Sequence, residues 1–132
     1  MIITKAIGTA CTVAAALAVT IVPTAAAKGG DGIRVAGTCS DGSSSKLKVK
    51  HDDGRIEAEF EVDRNVNGER WRVRFSRDGK VVARARPRTH APSGSFSVER
   101  QLSDLGGADR ITARGVGPTG LTCTAVATLP EG

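Results

Sequence analysis

Apolar and polar residues alternate along most of this chain, and at regular intervals a Gly-, Asp- or Pro-rich cluster interrupts them. No other feature narrows the possible folds as much. From residue 33 onward period two dominates, and no stretch carries the apolar spacing of an amphipathic helix. The pattern predicts strands over 33–39, 45–51, 55–62, 69–76, 80–86, 95–102, 109–116 and 121–129. Between them stand Asp41-Gly42, Asp53-Gly54, Asn67-Gly68, Asp78-Gly79, Pro92-Ser93-Gly94, Gly106-Gly107 and Pro118-Thr119-Gly120, all combinations that favour turns. Short alternating strands at this spacing indicate an all-β sandwich or barrel.

Parity registers two hairpins. In 45–51 the inward set is Leu47 and Val49, and in 55–62 it is Ile56, Ala58, Phe60 and Val62. Odd positions must face even ones, so the connection needs an even count, and Asp53-Gly54 is a favoured two-residue turn. Val49 then faces Ala58, and Lys46, Lys48 and Lys50 fall opposite Glu61, Glu59 and Glu57, pairs that support the register. In the next hairpin Trp71, Val73 and Phe75 point inward, as do Val81, Ala83 and Ala85. Odd now faces odd, which a three-residue turn Arg77-Asp78-Gly79 satisfies. That register sets Phe75 against Val81, Arg72 against Arg84 and Arg70 against Arg86. Pro118-Thr119-Gly120 reads as a similar three-residue turn.

Residues 1–27 read as a targeting segment. Lys5 supplies a positive start, Ala6 to Val22 an apolar stretch, Pro23 a break, and Ala25-Ala26-Ala27 a small-residue cleavage site. The apolar stretch is marginal for a membrane span and no stop-transfer pattern follows. Cys11 lacks a lipoprotein context. The expectation is a secreted protein with a flexible leader over 28–32 and one domain over 33–130. Intact mass of the secreted form should show loss of the first 26 or 27 residues and of two hydrogens.

Secretion changes the reading of cysteine. Cys11 leaves with the signal, so Cys39 and Cys123 remain, and two cysteines in an oxidising compartment are expected to pair. A two-cysteine metal site lacks further ligands nearby, and no cofactor motif is visible.

The run Arg70-Trp71-Arg72-Val73-Arg74-Phe75, a tight Asp-Gly turn and Lys80-Val81-Val82-Ala83 resemble the C–C′ hairpin of immunoglobulin-like or fibronectin III-like domains. The mature chain is similar to small secreted immunoglobulin-like proteins of actinobacteria. The resemblance implies an immunoglobulin-like antiparallel β-sandwich of about seven to eight strands, a scaffold for binding and not a reaction. It places 45–51, 55–62 and 95–102 in one sheet and 80–86, 69–76, 109–116 and 121–129 in the other. Cys39 and Cys123 depart from the antibody pattern, so a bridge between strands B and F is not expected.

With that assignment the outward positions differ in charge. The first sheet shows the Lys/Glu ladder with Ser95, Ser97 and Glu99, a nearly neutral face. The second shows Arg70, Arg72, Arg74, Arg84, Arg86, Arg110 and Arg114, all positive. The chain carries a formal charge of +5, and arginine outnumbers lysine 13 to 6. An absence of tyrosine adds to the profile of a GC-rich genome, so a solvated arginine face is the bland alternative to a binding surface. As a surface, the face suits an anionic cell-wall polymer or an acidic protein. Nucleic acid fits poorly, because no aromatic shares the outward face with the arginines to stack on bases.

Catalysis finds little support. Only His51 and His90 could act as bases near neutral pH, and His51-Asp52-Asp53 sends neighbours to opposite faces. No nucleophile–base set is visible. Two functions from different classes stand: a secreted, non-catalytic binding module, or a structural or stress-protective extracellular protein without a specific ligand. A small hydrolase or protease inhibitor is a distant third.

Overall fold

A strand that is apolar on one side is stable only where that side meets another apolar surface. Two antiparallel sheets meet this need for each other and form a β-sandwich. The computed structural model describes residues 32–132; the targeting segment 1–27, Cys11 and the leader up to residue 31 lie outside the described residues. The strands are β1 (Ile33–Ala36), β2 (Thr38–Cys39), β3 (Ser44–Asp52), β4 (Arg55–Asp63), β5 (Arg72–Arg77), β6 (Lys80–Ala85), β7 (Ser95–Ser103), β8 (Asp109–Val116) and β9 (Thr122–Leu129). One sheet has the order β1-β3-β4-β7 and the other β2-β9-β8-β5-β6.

The expected strand 33–39 is two strands in different sheets, which corrects the sequence reading. β1 pairs with β3, and β2 pairs with β9. The chain changes sheets at Gly37, whose N–H donates to the Ser45 carbonyl at 2.8 Å. A side chain there would strike Ser45 Oγ and come within 2.9 Å of the Thr124 carbonyl, so only glycine fits the crossing. Cys39 and Cys123 then lie directly opposite each other, Cα atoms 4.0 Å apart, and form a disulfide. It joins neighbouring strands of one sheet and does not cross the core.

Leu47, Val49, Ile56 and Phe60 of one sheet pack against Trp71, Val73, Phe75 and Ile111 of the other, all essentially without solvent contact. Trp71 is the largest fully buried side chain, its ring centroid 5.5 Å from that of Phe96. Room for the indole comes from glycines at the end of the neighbouring strand β8 and just after it, Gly115 and Gly117. A Cβ on Gly117 would sit 2.6 Å from indole ring atoms. Gly117→Ala should therefore lower stability by about 1–3 kcal/mol through overpacking. A urea midpoint equal to that of the parent would show that Trp71 shifts freely.

The β3–β4 hairpin has the expected register, with Val49 opposite Ala58 and Lys46, Lys48 and Lys50 opposite Glu61, Glu59 and Glu57. Lys46–Glu61 and Lys50–Glu57 close to 3.6 and 3.7 Å. Asp53 and Gly54 both take positive φ, the conformation of a two-residue type I′ turn. The last hairpin has the three loop residues expected of it: Gly117 N–H donates to the Leu121 carbonyl at 2.7 Å, leaving Pro118-Thr119-Gly120 as the connection.

The β5–β6 hairpin differs from its expected register by two residues. Asp78 and Gly79 both have positive φ and form a two-residue turn, so Arg77 belongs to β5 and faces Lys80. The register then shifts between Phe75 and Ser76, leaving Val82 as an extra residue on β6. A two-residue turn plus a one-residue bulge has the same parity as a three-residue turn. Every side chain therefore keeps its expected face, while each partner moves. Phe75 faces Ala83 and Arg74 faces Arg84. The expected Phe75–Val81, Arg72–Arg84 and Arg70–Arg86 pairs do not form.

Candidate anion-binding face

Pleat alternation sends residues flanking a buried strand position to the opposite side. Because Trp71, Val73 and Phe75 are buried, Arg70, Arg72 and Arg74 reach solvent; Arg84, Arg86, Arg88, Arg110 and Arg114 are exposed too. Pairing of the two segments runs beyond β5 and β6. Trp71 N–H donates to the Pro87 carbonyl and Thr89 N–H to the Glu69 carbonyl, both at 2.9 Å. Arg70 and Arg88 form an isolated bridge between these bonds. Pro87 has no N–H to return, which ends the regular ladder at Ala85.

Three arginine pairs result: Arg70–Arg88 and Arg74–Arg84 directly opposite, with Arg72 and Arg86 on the rung between. Hydrogen bonds at residues 69 and 71 make Arg70–Arg88 a non-hydrogen-bonded pair, and steps of two residues keep the other rungs in that class. Such pairs hold their Cα atoms closer, at about 4.5 Å, than hydrogen-bonded ones. Arg74 also faces Arg114 on β8, so one row reads Arg84–Arg74–Arg114 across three strands. Arg110 lies outside this group: it is two pleats further along β8, where its carbonyl accepts from Asp78 N–H at 3.1 Å.

Two adjoining depressions follow the pairs. One, of about 350 Å³, is lined by Arg72, Arg74, Arg84, Arg86 and Val116. The other, of about 510 Å³, is lined by Arg70, Arg72, Arg86, Arg88 and the two prolines Pro87 and Pro118. Among the described residues, no carboxylate forms an ion pair with any of these arginines.

The other sheet face is divided in charge. Arg34 stands opposite Lys48, and Glu59 lies between Lys48 and Glu99. The carboxylates of Glu57, Glu59 and Glu99 come within 4.8 Å of one another, and Glu57 is already bridged to Lys50.

Several polar side chains have structural partners that no short sequence pattern announces. Arg64 forks onto Glu69 (Nε–Oε1 2.9 Å, Nη2–Oε2 3.1 Å) and reaches Asp41 and Ser43. The hydrogen bonds from Arg64 hold the Glu69 carboxyl below the usual carboxylate range. Asp41 is lowered too, first by the Ser43 hydroxyl and then by the Ser43 N–H. Both groups contribute stability above their unfolded-state pKa values and lose that contribution as pH falls through the folded ones. His51 meets Asp104, distant in sequence, at 3.2 Å through Nδ1, while Nε2 lies 2.8 Å from the Pro130 carbonyl. His90 is exposed beside the cis Ala91-Pro92 bond.

The structure thus brings six of the seven expected arginines into one group, sets Arg110 apart and adds Arg88. Arg88 shares the parity of Arg84 and Arg86, a signal in the sequence that Pro87 obscured. No protein-family model matches the chain, and no similar protein is found among curated proteins or solved structures.

Proposed function

We propose that this chain is a secreted, non-catalytic binding module whose arginine face captures an anionic partner, in first place an anionic cell-wall polymer. One observation carries the reading: six guanidinium groups stand in cross-strand pairs with no ion-paired carboxylate among the described residues. Like charges directly opposite destabilise a sheet by roughly 0.2–1 kcal/mol per pair, a cost that a bound anion removes. The hairpin order, with β3–β4–β7 facing β6–β5–β8–β9, supports the likeness to a fibronectin III-like scaffold. The disulfide fits an extracellular protein, and no helix among the described residues is long and apolar enough to cross a membrane.

Arg74 has arginine on both sides, so Arg74→Ser with Arg84→Ser should leave thermal stability unchanged or raise it slightly. The same protein should lose capture of anionic material from cell-wall and culture fractions. Capture by the parent should fall as salt rises, because exposed charges are screened. Capture of nothing at low salt would favour a structural or stress-protective role.

A further inference from the structure

We propose that the arginine ladder takes a linear polyol phosphodiester, a chain of phosphates joined by short polyol bridges, lying along the strands between the β5 and β6 arginines with one phosphate at each rung. This rests on the anion-binding reading above and narrows it to a ligand class and an orientation.

Rung spacing is set by the backbone. Arg70–Arg88, Arg72–Arg86 and Arg74–Arg84 are two residues apart, which on a strand is about 6.7 Å, so three rungs span about 13 Å. A glycerol-type bridge between phosphates extends over a distance of the same order as one rung step. Each rung offers guanidinium groups from two sides. A phosphodiester has two non-bridging oxygens on opposite sides of its chain, so both sides of a rung find an acceptor. Its charge lies on the backbone itself, and a thin chain fits the adjoining depressions between the two arginine columns. All six cations are arginine, whose planar fork binds phosphate oxygens in pairs where lysine acts as a point charge.

The lining also disfavours the other polyanions. Protein interfaces depend on buried aromatic and aliphatic anchors. Beside the arginines the depressions offer only Val116, Pro87, Pro118 and small or backbone surface, with Trp71 turned into the core. Bases of a nucleic acid find no exposed ring to stack on.

The test is calorimetry at low salt with synthetic glycerol phosphate chains of one, three and six phosphates. Affinity should rise by about 100-fold or more from one phosphate to three, as linked sites do, and then level off. Arg72→Ser with Arg86→Ser removes the middle rung and should weaken the six-phosphate chain by about tenfold or more. Arg110→Ser, off the ladder, should change it by less than about twofold. Unfolding midpoints of the variants confirm that both remain folded. Equal losses from Arg110→Ser and the middle-rung variant would reduce the effect to bulk charge and overturn the ladder. Polyglutamate, polygalacturonate or oligothymidylate binding as tightly as the six-phosphate chain would overturn the ligand class and leave anion capture standing. If no polyanion binds at low salt, both readings fall.

Discussion

Asp109→Asn is expected to cost about 3–5 kcal/mol of folding stability, the usual penalty for leaving one charge of a buried pair alone. Arg77 and Asp109 are 8 % and 2 % exposed and meet at 3.0 Å (Nε–Oδ1). Arg77 faces Ile111 across the β5–β8 ladder, which sets Asp109 one pleat away on the same inward side. An Arg77 Nη group also donates to the Ser103 carbonyl at the end of β7, so the side chain ties the two sheets together. The pair is not fully satisfied: Asp109 Oδ2 has no hydrogen-bond partner, and Nε is not aligned on its carboxylate as a hydrogen bond. Exchanging both residues for apolar ones, Arg77→Met with Asp109→Leu, should therefore cost less than the single change, because no charge stays behind. Urea unfolding of the parent, both single variants and the double variant gives the coupling directly. A loss under about 1 kcal/mol for Asp109→Asn would mean that water reaches the pair as it reaches exposed ones.

Cys39→Ser with Cys123→Ser is the second large effect. The bridge closes a loop of 84 residues, most of the described domain. In the chain-entropy model such a cross-link restricts the unfolded state by about 4.5 kcal/mol, and losses of native disulfides from small secreted domains run at about 2–5 kcal/mol. For a domain whose whole stability is of order 5–15 kcal/mol, this is a large share. β2 has two residues, paired only with β9, so little else holds the crossing segment there. The global urea midpoint should fall, and hydrogen exchange should rise throughout the domain. An unchanged midpoint with faster exchange confined to β1 and β2 would show that the bridge pins one edge and leaves the unfolded chain essentially unrestricted.

Much of the fold was legible because strand parity is local. Whether Val73 faces the core and Arg74 the solvent depends on the pleat alone, and those positions point as expected. The Lys/Glu ladder of β3 and β4 was legible for a further reason: three opposite charges and a two-residue turn agree on one register. In β5 and β6 the outward charges are all alike and the inward residues of β6, Val81, Ala83 and Ala85, are all small, so no cross-strand pair strongly prefers one register over its neighbour. The Asp78-Gly79 turn adopts the same geometry as Asp53-Gly54, and the Val82 bulge restores parity. Sequence reasoning placed Arg77 in the turn, although its odd number matches the inward side of β5, as that of Asp109 matches the inward side of β8.

By itself, then, the sequence determined the all-β class, the spacing of the turns and the face of nearly every side chain. Tertiary structure alone decided which arginine stands opposite which, that Arg88 joins the ladder and Arg110 leaves it, and that the first strand divides at Gly37. The physical reason is the pleat's period. A slide by one residue would exchange core and solvent faces along a whole strand and is forbidden by the cost of burying arginine. A slide by two leaves every face as it was, so only contacts summed over neighbouring strands, here the Arg77–Asp109 pair and the β8 partners of β5, can choose between registers.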